Sequence, residues 1–88
     1  LNTARTTTPA ATQPQYALVA RALIADIERG RYPVGSLLPP ELHLCTQFGV
    51  SRHTIREAIR RLQDYGLVTR QRGVGTEVRT DRVEPRYV

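Results

Sequence analysis

The sequence predicts a mainly α-helical domain in which three helices are followed by a short antiparallel β-hairpin. Three observations lead to this prediction. Apolar residues recur at helical spacing in three segments, Gly49 and Ser51 separate the second segment from the third, and two short β-prone segments flank a turn that contains two glycines. Two helices joined by a tight turn and followed by a small hairpin form a winged helix-turn-helix, which is the fold class that we predict.

The first helix is predicted to start at Pro14, because a proline in the first turn lacks only an N–H that would have no partner there. Apolar residues then recur at helical spacing, and Gly30 supplies the stop. We expect this helix to cover the two that follow, which could not close a core alone. Its apolar stripe is Tyr16, Val19, Ala20, Leu23 and Ile27, and Arg21, Asp26, Glu28 and Arg29 are predicted to face outward.

The second helix is predicted after a double proline and ends at Phe48. A turn at residues 33–35 and an extended piece at residues 37–38 precede it. Glu41 lies in its first turn, where a negative charge suits the helix dipole. The residues predicted to face the core are Leu44, Cys45 and Phe48.

The third helix is predicted to follow within about three residues, because Gly49 can adopt the left-handed conformation that ends one helix and Ser51 can cap the next. From Ser51 onward the apolar positions form one helical face and the arginines form the other. Charge alone indicates only a solvated surface, but the tight turn and the flanking segments favour a helix that reads nucleic acid. The apolar face is Ile55, Ala58, Ile59 and Leu62, and the basic face is Arg52, Arg56 and Arg60 with His53 beside them.

The hairpin is predicted from strands at residues 67–71 and 76–79, with its tip at residues 72–75. Gly73 and Gly75 do not indicate a nucleotide-binding loop, because a strand follows them where such a loop needs a helix. A hairpin directly after a helix-turn-helix is typical of a wing, with Arg72 able to reach DNA backbone or minor groove. An ordinary hairpin is the alternative.

Composition favours a polyanionic partner. The chain has 88 residues, a net charge of +5 and a pI near 10.3. The segment from Gly49 to Arg72 contains six arginines and two acidic residues, Glu57 and Asp64, so its net charge is +4. A domain of this size has a thin core, so we expect no deep small-molecule pocket.

Neither a metal site nor an enzyme centre is predicted. His43 and Cys45 are two residues apart on a helix, so their side chains point about 200° apart and cannot bind one ion. His43 and His53 lie on different helices, and Cys45 is better explained as a small core residue than as a nucleophile. We therefore expect no catalytic residue and no cofactor. Cys45 is the only cysteine, which favours a reducing, cytoplasmic setting.

The winged domain is predicted over residues 14–79. Residues 1–13 are rich in threonine, alanine and proline and are predicted to form a disordered arm. Residues 80–88 are polar and mixed in charge, and we expect them to be a linker to a C-terminal domain that this sequence lacks. No apolar run approaches membrane-spanning length.

From Tyr16 to Val78 the chain resembles the GntR family of bacterial transcription regulators. Each shared segment alone is unremarkable, but their order and spacing across the whole predicted domain are specific. The segments that carry the resemblance are Ile27–Tyr32 with Pro33 and Gly35, Leu38–Glu41, Phe48–Ala58, Leu62, Gly66–Leu67 and Gly73–Val78.

The resemblance implies a domain that binds operator DNA as a dimer, coupled to a C-terminal domain that senses a small-molecule effector. It also implies that residues at the start of the third helix contact bases and phosphates, and that the wing glycine enters the minor groove. With the basic residues identified above, the predicted DNA-binding set is Ser51, Arg52, His53, Thr54, Arg56, Arg60, Arg72 and Gly73.

The chain departs from the family pattern at two positions. Leu42 stands where the family commonly has an arginine that touches DNA, so either the operator differs at that base or another arginine compensates. Pro40 replaces the small residue that usually precedes Glu41, so the side-chain cap of the second helix is lost.

Two functions are open at this point. One is sequence-specific DNA binding by a regulator, which we expect to be a repressor acting at an inverted-repeat operator. The other is protein or RNA contact through the same fold, because fold does not fix function. A docking surface for protein should show exposed apolar anchors, and we expect none on the arginine face. We expect the 88-residue chain to be monomeric and the full-length regulator to be a homodimer.

Overall fold

The computed structural model describes residues 14–82, which form three α-helices and one two-stranded antiparallel sheet. The predicted winged helix-turn-helix is confirmed. The predicted arm and residues 83–88 of the predicted linker lie outside the described residues. Within residues 14–82, no helix combines the length and apolar character that crossing a bilayer requires. The elements are α1 at Gln15–Glu28, α2 at Glu41–Phe48, α3 at Arg52–Asp64, β1 at Val68–Gln71 and β2 at Gly75–Val78.

The turn between α2 and α3 is built as predicted. Gly49 has φ 67° and ψ 37°, the left-handed conformation, and its N–H donates to the Cys45 carbonyl at 2.8 Å. The Ser51 hydroxyl oxygen then accepts a hydrogen bond from the Thr54 N–H at 3.2 Å and caps α3. One helix therefore ends and the next begins within three residues.

The core lies where the apolar stripes of the three helices meet the base of the sheet, at the start of β1 and the end of β2. Leu44 is fully buried, as predicted, whereas Cys45 and Phe48 are only partly buried and pack against the edge of the core. The core-facing residues predicted for α3 are all buried. The largest side chains with almost no exposed surface are Leu23, Ile27, Leu44, Ile55, Ile59, Leu62, Leu67 and Val78.

The wing pairs β1 with β2 from Val68 opposite Val78 to Gln71 opposite Gly75. β1 starts one residue later than predicted, and β2 starts and ends one residue earlier than predicted. The extended piece before α2 also pairs with β2, a feature that was not predicted. The Leu38 N–H donates to the Thr76 carbonyl at 2.8 Å, and the Val78 N–H donates to the Ser36 carbonyl at 2.9 Å. Backbone hydrogen bonds thus join the base of the wing to the segment that leads into α2.

The outward orientation predicted for Asp26 is wrong. Asp26 lies three residues after Leu23 and directly before Ile27, so it borders the apolar stripe of α1 and is buried. Its carboxylate accepts a hydrogen bond from Arg29 at 2.9 Å and lies 3.7 Å from a guanidinium nitrogen of Arg31. Arg29 and Arg31 therefore compensate the negative charge of the buried Asp26 carboxylate, which helical spacing alone had placed on the solvent-facing side of α1.

Candidate nucleic-acid interface

The N-terminal half of α3 presents a basic surface opposite its buried face. Arg52, His53, Arg56 and Arg60 are exposed, whereas Ile55 on the other side of the helix has no exposed surface. Arg52, Arg56 and Arg60 are four residues apart and therefore lie one above another along one side of the helix. The predicted phasing of the helix is confirmed.

The first turn of α3 has a charge distribution that works against the helix dipole. Acidic side chains normally lie at a helix N-terminus, yet the first turn of α3 has no acidic residue and begins with Arg52 and His53. Such a local departure from the usual preference is typical of a functional surface. The backbone N–H groups and two basic side chains together make this end of α3 a favourable position for an anion.

Glu41, the first residue of α2, supplies the negative charge that the first turn of α3 lacks. One carboxylate oxygen accepts a hydrogen bond from Nε of Arg56 at 3.2 Å and lies 3.5 Å from a terminal nitrogen of Arg52. The other oxygen accepts from a terminal nitrogen of Arg70, on β1, at 3.3 Å. A single carboxylate therefore connects α2, α3 and the wing. We call Glu41, Arg52, Arg56 and Arg70 the arginine cluster.

The Glu41 carboxylate is ionised at neutral pH. Partial burial opposes its ionisation, but hydrogen bonds from Arg56 and Arg70 outweigh that effect and lower the pKa of the carboxyl below its ordinary value. Three guanidinium groups around one carboxylate leave the arginine cluster with a net charge of +2. The cluster thus stays attractive to phosphate while its arginines are held together.

Glu41 and Arg70 were absent from the predicted DNA-binding set. The signal for Arg70 was its position two residues after Val68, because side chains two apart on a strand lie on the same face. Val68 packs into the core against the helices, so Arg70 extends the same face beyond the edge of the core and reaches Glu41. No comparable local signal exists for Glu41, whose partners lie 11, 15 and 29 residues away.

The tip of the wing is a tight turn at residues 72–74. The Val74 N–H donates to the Gln71 carbonyl at 2.9 Å, and Gly73 has φ 76°, a conformation that side-chain-bearing residues rarely adopt. A Cβ at Gly73 would meet no other atom of the described chain within 4 Å, so the outer side of the tip is open. Arg72 is exposed at this tip, as predicted.

A groove of about 650 Å³ separates the wing from the start of α2. Its walls include Leu37, Pro39, Pro40 and Val74, and Arg70 lies at its side. None of the large apolar side chains exposed in residues 14–82 lies on α3, but Leu42 on α2 and Val74 at the wing tip are each 64% exposed. Two single exposed side chains are common on any protein surface and do not make a docking patch.

Arg61 belongs to a different part of the surface from the other arginines of α3. Its guanidinium donates to the Tyr16 hydroxyl at 3.0 Å and lies 5.1 Å from the centre of the Tyr16 ring. Hydrogen bonds to Tyr65 and Tyr16 raise its pKa. The basic surface near α3 therefore includes Glu41 and excludes Arg61. The segment from Gly49 to Arg72, whose net charge is +4, contains Arg61 but not Glu41.

The structure brings the eight predicted residues into two groups. Ser51, Thr54 and the basic residues of α3 lie along the first three turns of that helix, and Arg72 and Gly73 lie at the wing tip. The Ser51 and Thr54 hydroxyl oxygens are 3.1 Å apart, so they also bond to each other. The contact of all eight residues with DNA stays a prediction. Among residues 14–82, no three side chains are arranged to hold a metal ion.

The profile described as "Bacterial regulatory proteins, gntR family" matches residues 15–78, which is most of the chain. The chain belongs to the gntR family. The predicted resemblance is confirmed, and the match begins at the first residue of α1 and ends at the last residue of β2.

The relatives that the chain matches are transcriptional regulators, several of them repressors. The probable fructoselysine utilization operon transcriptional repressor of Escherichia coli is 46% identical over 69 residues, or 78% of this chain and 28% of that protein. The histidine utilization repressor of Pseudomonas aeruginosa is 42% identical over 65 residues, or 74% of this chain and 26% of that protein. The chain therefore spans about a quarter of the length of these relatives.

Solved structures of similar gntR-type domains include complexes with operator DNA. AraR(DBD) in complex with operator ORX1 is 37% identical with a TM-score of 0.75, and the match covers 86% of this chain and 92% of AraR(DBD). AraR(DBD) in complex with operator ORR3 is 42% identical with a TM-score of 0.73, covering 76% of this chain and 81% of that one. The fold of this chain is thus the fold of domains that bind operator DNA.

Proposed function

We propose that residues 14–79 form the operator-binding domain of a gntR-type transcriptional regulator. The observation that carries this proposal is the arginine cluster at the capped start of α3, where Arg52 and Arg56 project from one side of a helix that directly follows a tight turn. The operator complexes of similar domains support the same function.

The N-terminal turns of α3 enter the major groove in this proposal. Arg56 donates its Nε to Glu41, which leaves both terminal nitrogens available for a bidentate contact to guanine. Ser51, His53 and Thr54 contact phosphates near the helix start, where the dipole favours anions. Arg60 lies one turn further along α3 and contacts backbone rather than bases.

The wing places Arg72 and Gly73 at the minor groove. The open outer side of Gly73 allows the backbone to approach a duplex closely, and the exposed Arg72 guanidinium attracts the phosphates on either side of the groove. The groove between the wing and α2 then faces the DNA strand that runs between the two contacts.

Salt-dependent binding to duplex DNA tests the proposal. Each phosphate that an arginine neutralises contributes about −0.9 to the slope of log affinity against log salt. The proposed interface has five exposed arginines, so the slope should reach up to about −4.5; they are Arg52, Arg56, Arg60, Arg70 and Arg72. A duplex selected from a random library and a base-permuted version of it should both show a salt slope, and the selected duplex should bind more tightly. A flat salt response, or equal affinity for both duplexes, would refute the proposal.

The full-length regulator is proposed to be a homodimeric repressor that binds an inverted-repeat operator in the cytoplasm. A winged module of this size buries only about 600–1,000 Å² against DNA, so one copy should bind one half-site weakly. A C-terminal domain that senses a small effector, connected through residues 80–88, would supply the dimer contact. The greater length of the repressors described above supports this arrangement.

A further inference from the structure

The arginine cluster contains a feature that DNA binding alone does not explain. A surface built to attract phosphate should not hold a carboxylate at its centre, yet Glu41 contacts three arginines there and only 21% of its side chain is exposed. The three arginines are each about half exposed, so their outer edges remain accessible. The carboxylate is therefore placed behind the guanidinium groups.

We propose that Glu41 is a positioning residue that sets the sequence specificity of the domain. It holds Arg52, Arg56 and Arg70 in one arrangement and, before DNA is bound, partly neutralises charge that would otherwise attract any duplex. This inference rests on the proposed function. It assigns to Glu41 both a gain in operator binding and a reduction in binding to unrelated DNA.

Geometry supports the positioning role. An arginine on a helix surface samples many rotamers, whereas base reading requires its planar fork at one angle. Glu41 accepts hydrogen bonds from the Nε of Arg56 and from one terminal nitrogen of Arg70, and one terminal nitrogen of Arg52 forms an ion pair with it. Each guanidinium therefore keeps donors that the carboxylate does not occupy. The contacts fix orientation without consuming the donors that a base would need.

Charge supports the second role. Binding to unrelated DNA depends mainly on the number of phosphates that cations neutralise, and a fixed carboxylate among those cations lowers that number. Removing the carboxylate charge raises the net charge of the arginine cluster from +2 to +3. The salt slope for unrelated DNA should then become steeper by up to about 0.9.

Glu41→Gln tests the inference in the complete 88-residue chain. The probes are a duplex selected from a random library with the parent chain and a base-permuted duplex of the same length. We expect the variant to bind the selected duplex more weakly and the permuted duplex more tightly, so that the ratio of the two affinities falls roughly five- to 150-fold, as for the loss of one base contact. Glu41→Asp keeps the charge but is one methylene shorter, so it should weaken selected-duplex binding without strengthening permuted-duplex binding.

Glu57→Gln is the matched control. Glu57 lies on α3 and, within residues 14–82, forms no ion pair with an arginine, so its replacement removes one negative charge without releasing the cluster. It should raise both affinities alike and leave their ratio unchanged. Equal weakening of both duplexes by Glu41→Gln, or the same fall in ratio with Glu57→Gln, would overturn the inference while leaving the proposed function intact. A parent chain that prefers no duplex would overturn both.

Discussion

Replacing Arg56 with alanine should change which bases the domain prefers. Arg56 is about half exposed, and its terminal nitrogens are unoccupied by Glu41. If they form a bidentate contact to guanine, their loss costs about 1–3 kcal/mol of binding free energy. An exposed ion pair contributes only about 0–1 kcal/mol to folding, and alanine is a good helix former, so the loss of binding should exceed the loss of stability.

Binding should be measured against the selected operator and against each single base-pair variant of it. For Arg56→Ala the preference at one position should disappear, while the other positions keep theirs. Arg60→Ala is the control: Arg60 is exposed one turn further along α3, so its loss should weaken binding to every duplex by a similar factor. Thermal unfolding of each variant must match that of the parent. An altered preference with Arg60→Ala and an unaltered one with both Arg52→Ala and Arg56→Ala would refute the assignment of the reading side of α3.

Three further predictions concern stability and assembly. Ser51→Ala removes the cap on α3 and should lower the free energy of unfolding by about 0.5–2 kcal/mol in chemical denaturation, whereas Ser51→Asn should largely preserve it. Because the pKa of Glu41 is lowered on folding, its ion pairs stabilise the domain above the ordinary carboxyl value of 4.5 and are lost as the pH falls through the lowered pKa. The stability difference between the parent and Glu41→Gln should therefore shrink from pH 7 to pH 3, and a constant difference would contradict this. Joining two copies of the chain by a flexible linker should tighten binding to an inverted repeat strongly, since the effective concentration of the second copy becomes roughly millimolar; a tight dimer of the unlinked chain in sedimentation equilibrium without DNA would argue against the monomeric half-site unit.

Features set by neighbouring residues were predictable from the sequence. The helical stripes placed Leu23 and Ile55 in the core, and the glycine–serine pair at Gly49 and Ser51 located the turn. These features depend on period and on local backbone conformation, both of which short stretches of sequence encode. The wing was located for the same reason, since a glycine-bearing tip between β-prone segments is a local signal.

Features set by distant residues were not predictable in the same way. The contacts of Glu41 join three elements, and helical spacing reports only which face of its own helix a residue occupies. Asp26 was misplaced because its spacing put it at the border of two faces, where the presence of Arg29 and Arg31 decides the outcome. The pairing of residues 36–38 with β2 likewise requires knowing how the chain returns to the sheet.

That pairing fixes the position of the wing relative to the segment that leads into α2. The base of the wing is tied to the segment before α2 by main-chain hydrogen bonds, including those from Leu38 to Thr76 and from Val78 to Ser36. Main-chain bonds do not depend on side-chain identity, so changes of side chain at residues 72 and 74 leave this position unchanged, whereas a side chain at Gly73 would strain the turn. In the operator-binding role proposed above, new operator preferences can therefore arise at the wing tip one side chain at a time, while the position of the wing relative to the start of α2 stays constant.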